Sequence, residues 1–208
     1  MNFFEIETTQ RIHEALKTAD TTKIIEISSG AIQKTARVFR ECFDDATAII
    51  IADVNTYSAA GRQVEEILKT GGIHLEQTFV FTDPGLYAEM KYVDQLGDVL
   101  LSSQAIPIAV GSGTINDLIK LASYRYSRQY MSVVTAGSVD GYTAFGASIT
   151  EKSFKQTFYS PAPMAVIADL DVIADAPLEM NAWGYADLMA KIPAGADWII
   201  ADALGVEP

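Results

Sequence analysis

Histidine and cysteine are scarce in this chain of 208 residues, which holds only His13, His74 and Cys42. A single cysteine excludes an internal disulfide, and among apolar neighbours Cys42 reads as a structural residue. A catalytic divalent metal usually takes two or three imidazoles. His13 falls on the polar face of an N-terminal helix and His74 follows a Gly-Gly turn, so both read as surface residues. No Ser/His/Asp or Cys/His set occurs in a credible arrangement. Long hydrophobic runs are also missing: the longest candidates, such as residues 47–52, are strand-sized and too short to cross a bilayer. The N-terminus lacks the basic start and apolar centre of a secretory signal, so the expected location is the cytoplasm, without membrane insertion. Basic residues are outnumbered, 15 to 27, for a net charge of −12. With no basic stripe to reverse that field, a nucleic-acid partner is excluded, and a phosphate-bearing ligand would need local cations or helix N-termini. Internal repeats, low-complexity segments and Pro/Gly/Ser-rich linkers are absent.

What is present is an alternation of short β-branched runs with longer amphipathic stretches. Residues 23–27, 47–52, 78–81, 106–110 and 131–135 read as strands, and 47–52 (TAIIIA) has the continuous apolar character of a strand buried on both faces. Between them, 31–41, 56–69 and 115–123 carry apolar residues at helical spacing, and Pro84-Gly85 is expected to open another helix. Ser28-Ser29-Gly30 is expected to turn the chain and cap the first of these helices. The rhythm predicts an α/β fold, a Rossmann-like, mostly parallel sheet with helices on both faces and right-handed crossovers. In such sheets ligands sit beyond the carboxyl ends of the strands, so the post-strand loops are where chemistry is expected. After Gly141 the pattern changes. Residues 147–150 and 154–159 flank a polar turn as a β-hairpin, a strand follows at 164–168, and from Glu179 the text turns helical. A boundary near Asp175 divides an α/β domain, 1–175, from 176–208, which reads as the beginning of an all-helical domain too short for its own core.

Four motifs carry chemistry. VGSGTIND, residues 110–117, joins a strand to a helix. Gly111 and Gly113 let the backbone turn sharply, and the free N–H groups of the helix start favour a phosphate; the plainer reading is an ordinary tight turn. Asn116 and Asp117 follow as dipole partners or as contacts to ribose or nicotinamide. Asp53, with Asn55 and Thr56, stands just past the second strand, where an acid commonly accepts hydrogen bonds from an adenine ribose; the plainer reading is an N-cap, since Asn55 or Asp53 could start the next helix equally well. TAGSVDGY, residues 135–142, puts small hydroxyls, two glycines and the carboxylate of Asp140 into one loop. Asp187, in GYADLMAK, lies among apolar residues, where a carboxylate is costly unless it binds a metal or pairs with Lys191 four residues on.

In this order and spacing, VGSGTINDLIK, VTAGSVDGYTA, IADLDVIADAP and GYADLMAK resemble the glycerol-1-phosphate dehydrogenases of the iron-containing alcohol dehydrogenase and dehydroquinate synthase-like superfamily, with likeness from about Lys23 to the last residue. That resemblance implies a nucleotide-binding α/β domain and NAD(H) or NADP(H) lying across Gly111, Ser112, Gly113, Thr114, Asn116 and Asp117 and across Thr135 and Ser138. It makes Asp53 the ribose-side acid, Asp140 the acid on substrate hydroxyls, and Asp187 both a substrate neighbour and a ligand of zinc or nickel, so Asp140 and Asp187 form the catalytic pair. The implied reaction interconverts dihydroxyacetone phosphate, a phosphate ester, and sn-glycerol 1-phosphate by hydride transfer, with the metal as Lewis acid. Two departures stand out: Ala144 replaces a serine that contacts the cofactor in some relatives, and the two histidines that complete the family's metal site have no counterpart, so the chain is expected to be an inactive fragment. A glycerol dehydrogenase acting on the free polyol and a non-catalytic nucleotide-binding module are the alternatives. Asp53 disfavours the 2′-phosphate of NADPH, an effect that Arg62 or Lys69 could offset. An exposed helical segment would promote association, so a homo-oligomer is also compatible.

Overall fold

The apolar run at the second strand leaves no side chain for solvent: Ala48, Ile49, Ile50, Ile51 and Ala52 are all exposed by 2% or less. Such a segment is stable only where both faces are covered, as in a parallel sheet between two helical layers. The computed structural model, which describes residues 3–206, has that architecture. Its first half runs α1 (Phe3–Leu16), β1 (Ile24–Ser28), a 3-10 turn (Ala31–Lys34), α2 (Thr35–Phe43) and β2 (Ala48–Asp53). It continues with α3 (Val54–Thr56), a π-helical turn (Tyr57–Gly61), α4 (Arg62–Thr70), β3 (Phe79–Phe81) and α5 (Met90–Leu101). The second half is β4 (Ile106–Gly111), α6 (Gly113–Arg125), β5 (Met131–Val134), the hairpin β6 (Ala147–Glu151) and β7 (Phe154–Phe158), β8 (Ala165–Asp169), α7 (Leu170–Ala174), α8 (Leu178–Met189) and α9 (Lys191–Ala203).

Six strands form one parallel sheet in the order β1-β8-β5-β4-β2-β3. Alternate residues of the strands face opposite layers, as the two-residue period requires. Ile50, Ala52, Ile108 and Val110 pack against Val38 and Phe39 of α2 and Val64 and Leu68 of α4. Ile49, Ile51 and Ala109 face Val93 and Leu96 of α5, Leu118 and Ile119 of α6, and Ala147 and Ile149 of the hairpin. β2 and β4 are neighbours, yet the chain leaves β2 for β3 on one side and β4 for β5 on the other. That divergence opens a crevice at their carboxyl ends.

Several elements differ from the sequence reading. Pro84-Gly85 opens no helix: the Asp83 carboxylate accepts the Gly85 N–H at 2.8 Å, closing a turn, and α5 starts at Met90 after an extended Glu89. The helix expected from residue 31 begins as a 3-10 turn, and no side chain of its own neighbourhood caps it. The Asp169 carboxylate, at the end of β8, accepts instead from Gly30 N–H at 3.1 Å and Ile32 N–H at 2.9 Å. The hairpin turn places Lys152 and Ser153 at positive φ, 50° and 68°, the geometry a tight antiparallel connection favours. Pro193 lacks the N–H that a continuous helix needs, and α8 and α9 part at Ala190. No helix among the described residues is long and apolar enough to cross a membrane.

Candidate functional site

A cavity of about 1140 Å³ opens over the carboxyl ends of the strands. It takes Gly30 and Ile32 from beyond β1, Asp53 from β2, Phe81 and Asp83 at β3, Ser112 and Thr114 from the β4–α6 turn, Thr135 beyond β5 and Asp169 from β8. Aspartates 53, 83, 169, 171 and 175 line it, and no lysine, arginine or histidine does. An anion bound there therefore depends on backbone N–H groups. The first turn of α6 supplies them: the N–H of Gly113 goes to Ser138 Oγ at 3.3 Å, while Thr114 and Ile115 follow at positions with no partner inside the helix. Gly111 is needed for packing, because a β-carbon there would meet Ile115 Cγ1 at 2.6 Å.

Asp53 combines the two roles weighed for it. Its Oδ1 accepts from Asn55 N–H at 2.8 Å and Thr56 N–H at 3.0 Å, and Thr56 Oγ1 accepts the Asp53 N–H in return, a complete capping box. The residue still lines the cavity. Arg62 stands over the Tyr57 ring and Lys69 pairs with Glu65, and neither lines the cavity.

The loop after β5 meets α8. Thr135 N–H donates to Gly111 O at 3.1 Å, tying it to the β4 turn, and Tyr142 Oη donates to Ala136 O at 2.7 Å. Burial pushes the Tyr142 phenol up to about 12, so it stays protonated as that donor. Met180, Gly184 and Asp187 recur along α8 at the spacing that puts them on one helical stripe, and Lys191 follows as the first residue of α9. Met180 lines the cavity, and Gly184 lies against the Gly137 carbonyl so closely that no β-carbon fits. Asp187 Oδ2 accepts the Asp140 N–H at 3.0 Å, and Lys191 Nζ reaches the Asp140 carboxylate at 3.1 Å. The structure thus brings Asp140 and Asp187 together, and Lys191 pairs with Asp140, 51 residues away, not with Asp187.

Asn116 and Asp117 face elsewhere. Asn116 is 1% exposed and its Oδ1 accepts from Tyr130 Oη at 3.2 Å, inside the α6 layer. Asp117 Oδ2 accepts the Ser148 N–H at 3.4 Å, and burial raises its carboxyl to about 6, against the pull of Lys120. Lys120 went unread in the sequence, although it follows Asp117 by one helical turn. It is 1% exposed, burial lowers its pKa, and Nζ donates to the carbonyls of Gly141 (3.4 Å), Ala144 (2.8 Å) and Gly146 (3.2 Å). This buried ammonium fixes the segment that follows Asp140. Asp169, which ties the β1 loop to β8, was missed as well; only its place at the end of an apolar strand signals it. His13 and His74 are exposed, and among the described residues no three His, Cys, Asp or Glu side chains come together as a metal set.

A family model described as iron-containing alcohol dehydrogenase matches residues 5–177, reaching further toward the N-terminus than Lys23 and stopping before α8. The chain is 36% identical over 162 residues to a glycerol-1-phosphate dehydrogenase, NAD(P)+, of Halalkalibacterium halodurans, covering 76% of this chain and 40% of that protein. It is 32% identical over 179 residues to the protein of the same name from Methanosarcina mazei, covering 86% and 49%. The chain thus spans less than half the length of either relative. Among solved structures, glycerol dehydrogenase from Schizosaccharomyces pombe has the same fold, with a TM-score of 0.69 at 18% identity over 83% of this chain and 44% of that one.

Proposed function

This chain belongs to the iron-containing alcohol dehydrogenase family, and we propose that it holds a nicotinamide dinucleotide in the crevice between β2 and β4, as the nucleotide-binding part of an NAD(P)-dependent polyol-phosphate oxidoreductase. The observation that carries this reading is the cavity at the point where the chain diverges from β2 and β4, bordered by the N-terminus of α6. A helix N-terminus presents N–H groups and a partial positive charge to a diphosphate, which this acidic cavity supplies in no other way. Ser112, Thr114 and Thr135 border the diphosphate path, with Gly113 and Ser138 fixing the two loops to one another. Asp53 Oδ2, free of the capping bonds, accepts from the adenine ribose. NADH is preferred over NADPH, because a 2′-phosphate beside Asp53 meets no cation.

When bound, the nicotinamide supplies the hydride. Asp140 and Asp187 mark the substrate end, where Asp140 accepts from substrate hydroxyls and Asp187 orients the Asp140 loop through its N–H. The names of the relatives point to glycerol 1-phosphate as the substrate, and removal of a hydride from its secondary alcohol gives dihydroxyacetone phosphate. A zinc or nickel site does not fit the described residues: Asp187 is joined by no second and third ligand. The chain of 208 residues is expected to show no turnover by itself. Residues 1–175 then act as the nucleotide-binding unit and 176–208 as the start of a helical one, in a cytoplasmic protein.

Titration of the chain with NADH, followed by nicotinamide fluorescence, tests this. Saturable binding, at least about tenfold tighter than NADPH, and its loss in Thr114→Glu are the expected results. Unchanged affinity in Thr114→Glu contradicts the diphosphate site, and measurable turnover contradicts the expectation for the isolated chain.

A further inference from the structure

The acid pair at the substrate end creates an electrostatic problem. A phosphate monoester carries between one and two negative charges near neutral pH. Asp140 and Asp187, joined by a 3.0 Å hydrogen bond, present two carboxylates to it, within a chain of net charge −12. A neutral polyol meets no such repulsion. A nearby cation therefore decides which of the two the site accepts.

Most cations with described contacts are committed elsewhere. Lys34 and Arg37 pair with Glu26, Lys91 with Glu89, and Arg125 with Asp94. Arg40 donates to Gly71 O and Arg128 to Ser103 O. Lys120 is buried and spends its donors on three carbonyls. Lys191 differs on each count. Its Nζ lies 3.1 Å from one Asp140 oxygen and 3.2 Å from the other, while its side chain is 63% exposed. It is the first residue of α9, four positions beyond Asp187, and it meets the loop that follows β5 at Asp140. The ammonium is thus held at the acid pair while its outer side stays open to a ligand. Lys155, on the hairpin, is a further cation, near enough to Asp117 to favour the charge on that carboxylate.

We propose that Lys191 is the residue that selects a phosphorylated over an unphosphorylated polyol at the Asp140–Asp187 pair. This rests on reading that pair as the substrate end of a dinucleotide-dependent site. Without ligand, Lys191 neutralises Asp140. A phosphate monoester takes over the ammonium and leaves Asp140 free for a substrate hydroxyl. For a neutral polyol Lys191 is a competitor, occupying the carboxylate that would accept the hydroxyl. Removing the charge therefore acts in opposite directions on the two ligand classes, which loss of local structure would not do.

The test uses the full 208-residue chain saturated with NADH, titrated with sn-glycerol 1-phosphate and with glycerol while the Asp140 amide resonance is followed by NMR. Lys191→Gln is expected to weaken the phosphate ester by about five- to tenfold, and to leave glycerol unchanged or bound more tightly. Lys191→Arg restores the preference, and Lys155→Gln leaves it intact. Equal weakening of both ligands in Lys191→Gln, a change that follows Lys155 instead, or no preference for the phosphate in the unsubstituted chain each overturns the inference while NADH binding stands. Failure of the unsubstituted chain to bind NADH overturns the nucleotide reading, and the inference with it.

Discussion

The parallel sheet and the two C-terminal helices are both rich in large apolar residues, but only the sheet buries them. Phe39, Ile50 and Leu118 are fully buried against the sheet layers, whereas Trp198 and Ile199 of α9 are each 73% exposed and Leu178, at the start of α8, is 80% exposed. No residue of α9 is buried, and in α8 only Gly184 is. An apolar helix stabilises a fold only through the partner it packs against. The sheet meets that condition on two faces, and α8 meets it along the single stripe 180-184-187. The difference assigns separate physical roles: the sheet holds the crevice in shape, and α8 and the first residue of α9 place two polar side chains, Asp187 and Lys191, beside Asp140.

Removing bulk from each region breaks this comparison most forcefully. Phe39→Ala empties a fully buried site between α2 and the sheet and should cost about 3–5 kcal/mol of unfolding free energy. Trp198→Ala, an equally large truncation in α9, should stay within about 0.5 kcal/mol. Paired urea denaturations decide this; similar losses at the two positions would show that α9 is packed after all.

Asp117 gives a smaller effect with a definite sign. Burial raises its carboxyl to about 6 from an ordinary 3.8, so between pH 4 and 6 the native chain binds more protons than the unfolded one. This contribution to stability is fully present below pH 4 and is lost as pH rises through 6, roughly 2–3 kcal/mol in all. In Asp117→Asn the decline across that window should flatten, as thermal unfolding at a series of pH values would reveal; an unaltered slope would assign it to other groups.

The most local effect is expected from Gly184→Ala. A β-carbon there collides with the Gly137 carbonyl, so α8 shifts and the Asp187–Asp140 hydrogen bond weakens. Unfolding free energy should fall by about 1 kcal/mol, while hydrogen exchange at the Asp140 amide accelerates and that of β2 and β4 does not. Equal acceleration in the strands would mean that α8 supports the sheet itself.

The same division governs how much the sequence disclosed. The strands were legible because continuous apolar runs such as 48–52 fit only a doubly covered sheet, and the hairpin because a polar turn separates two strand-like runs. The α6 turn and Asp53 were legible as local features, although the capping box that Asp53 completes with Thr56 appears only in the structure. Contacts between distant segments were not. Lys191 has a carboxylate four residues before it, and the helical spacing suggests that pair, yet the docking of α8 gives it Asp140 instead. The 3-10 turn after β1 takes its cap from Asp169, 137 residues beyond Ile32. Nothing beside Lys120 in the sequence signals its burial, which comes from the loop that ends at Gly146 folding over it. In each case the local options are close in energy and the tertiary packing chooses among them.

The central claim is that the β2–β4 crevice holds a dinucleotide through the start of α6. Backbone amide shifts recorded as NADH is added to the isotopically labelled chain test it most directly. Saturable perturbations centred on Ser112, Thr114, Ile115, Thr135 and Asp53 are the predicted result. Shifts confined to α8 and α9, or none at all at millimolar NADH, would contradict it.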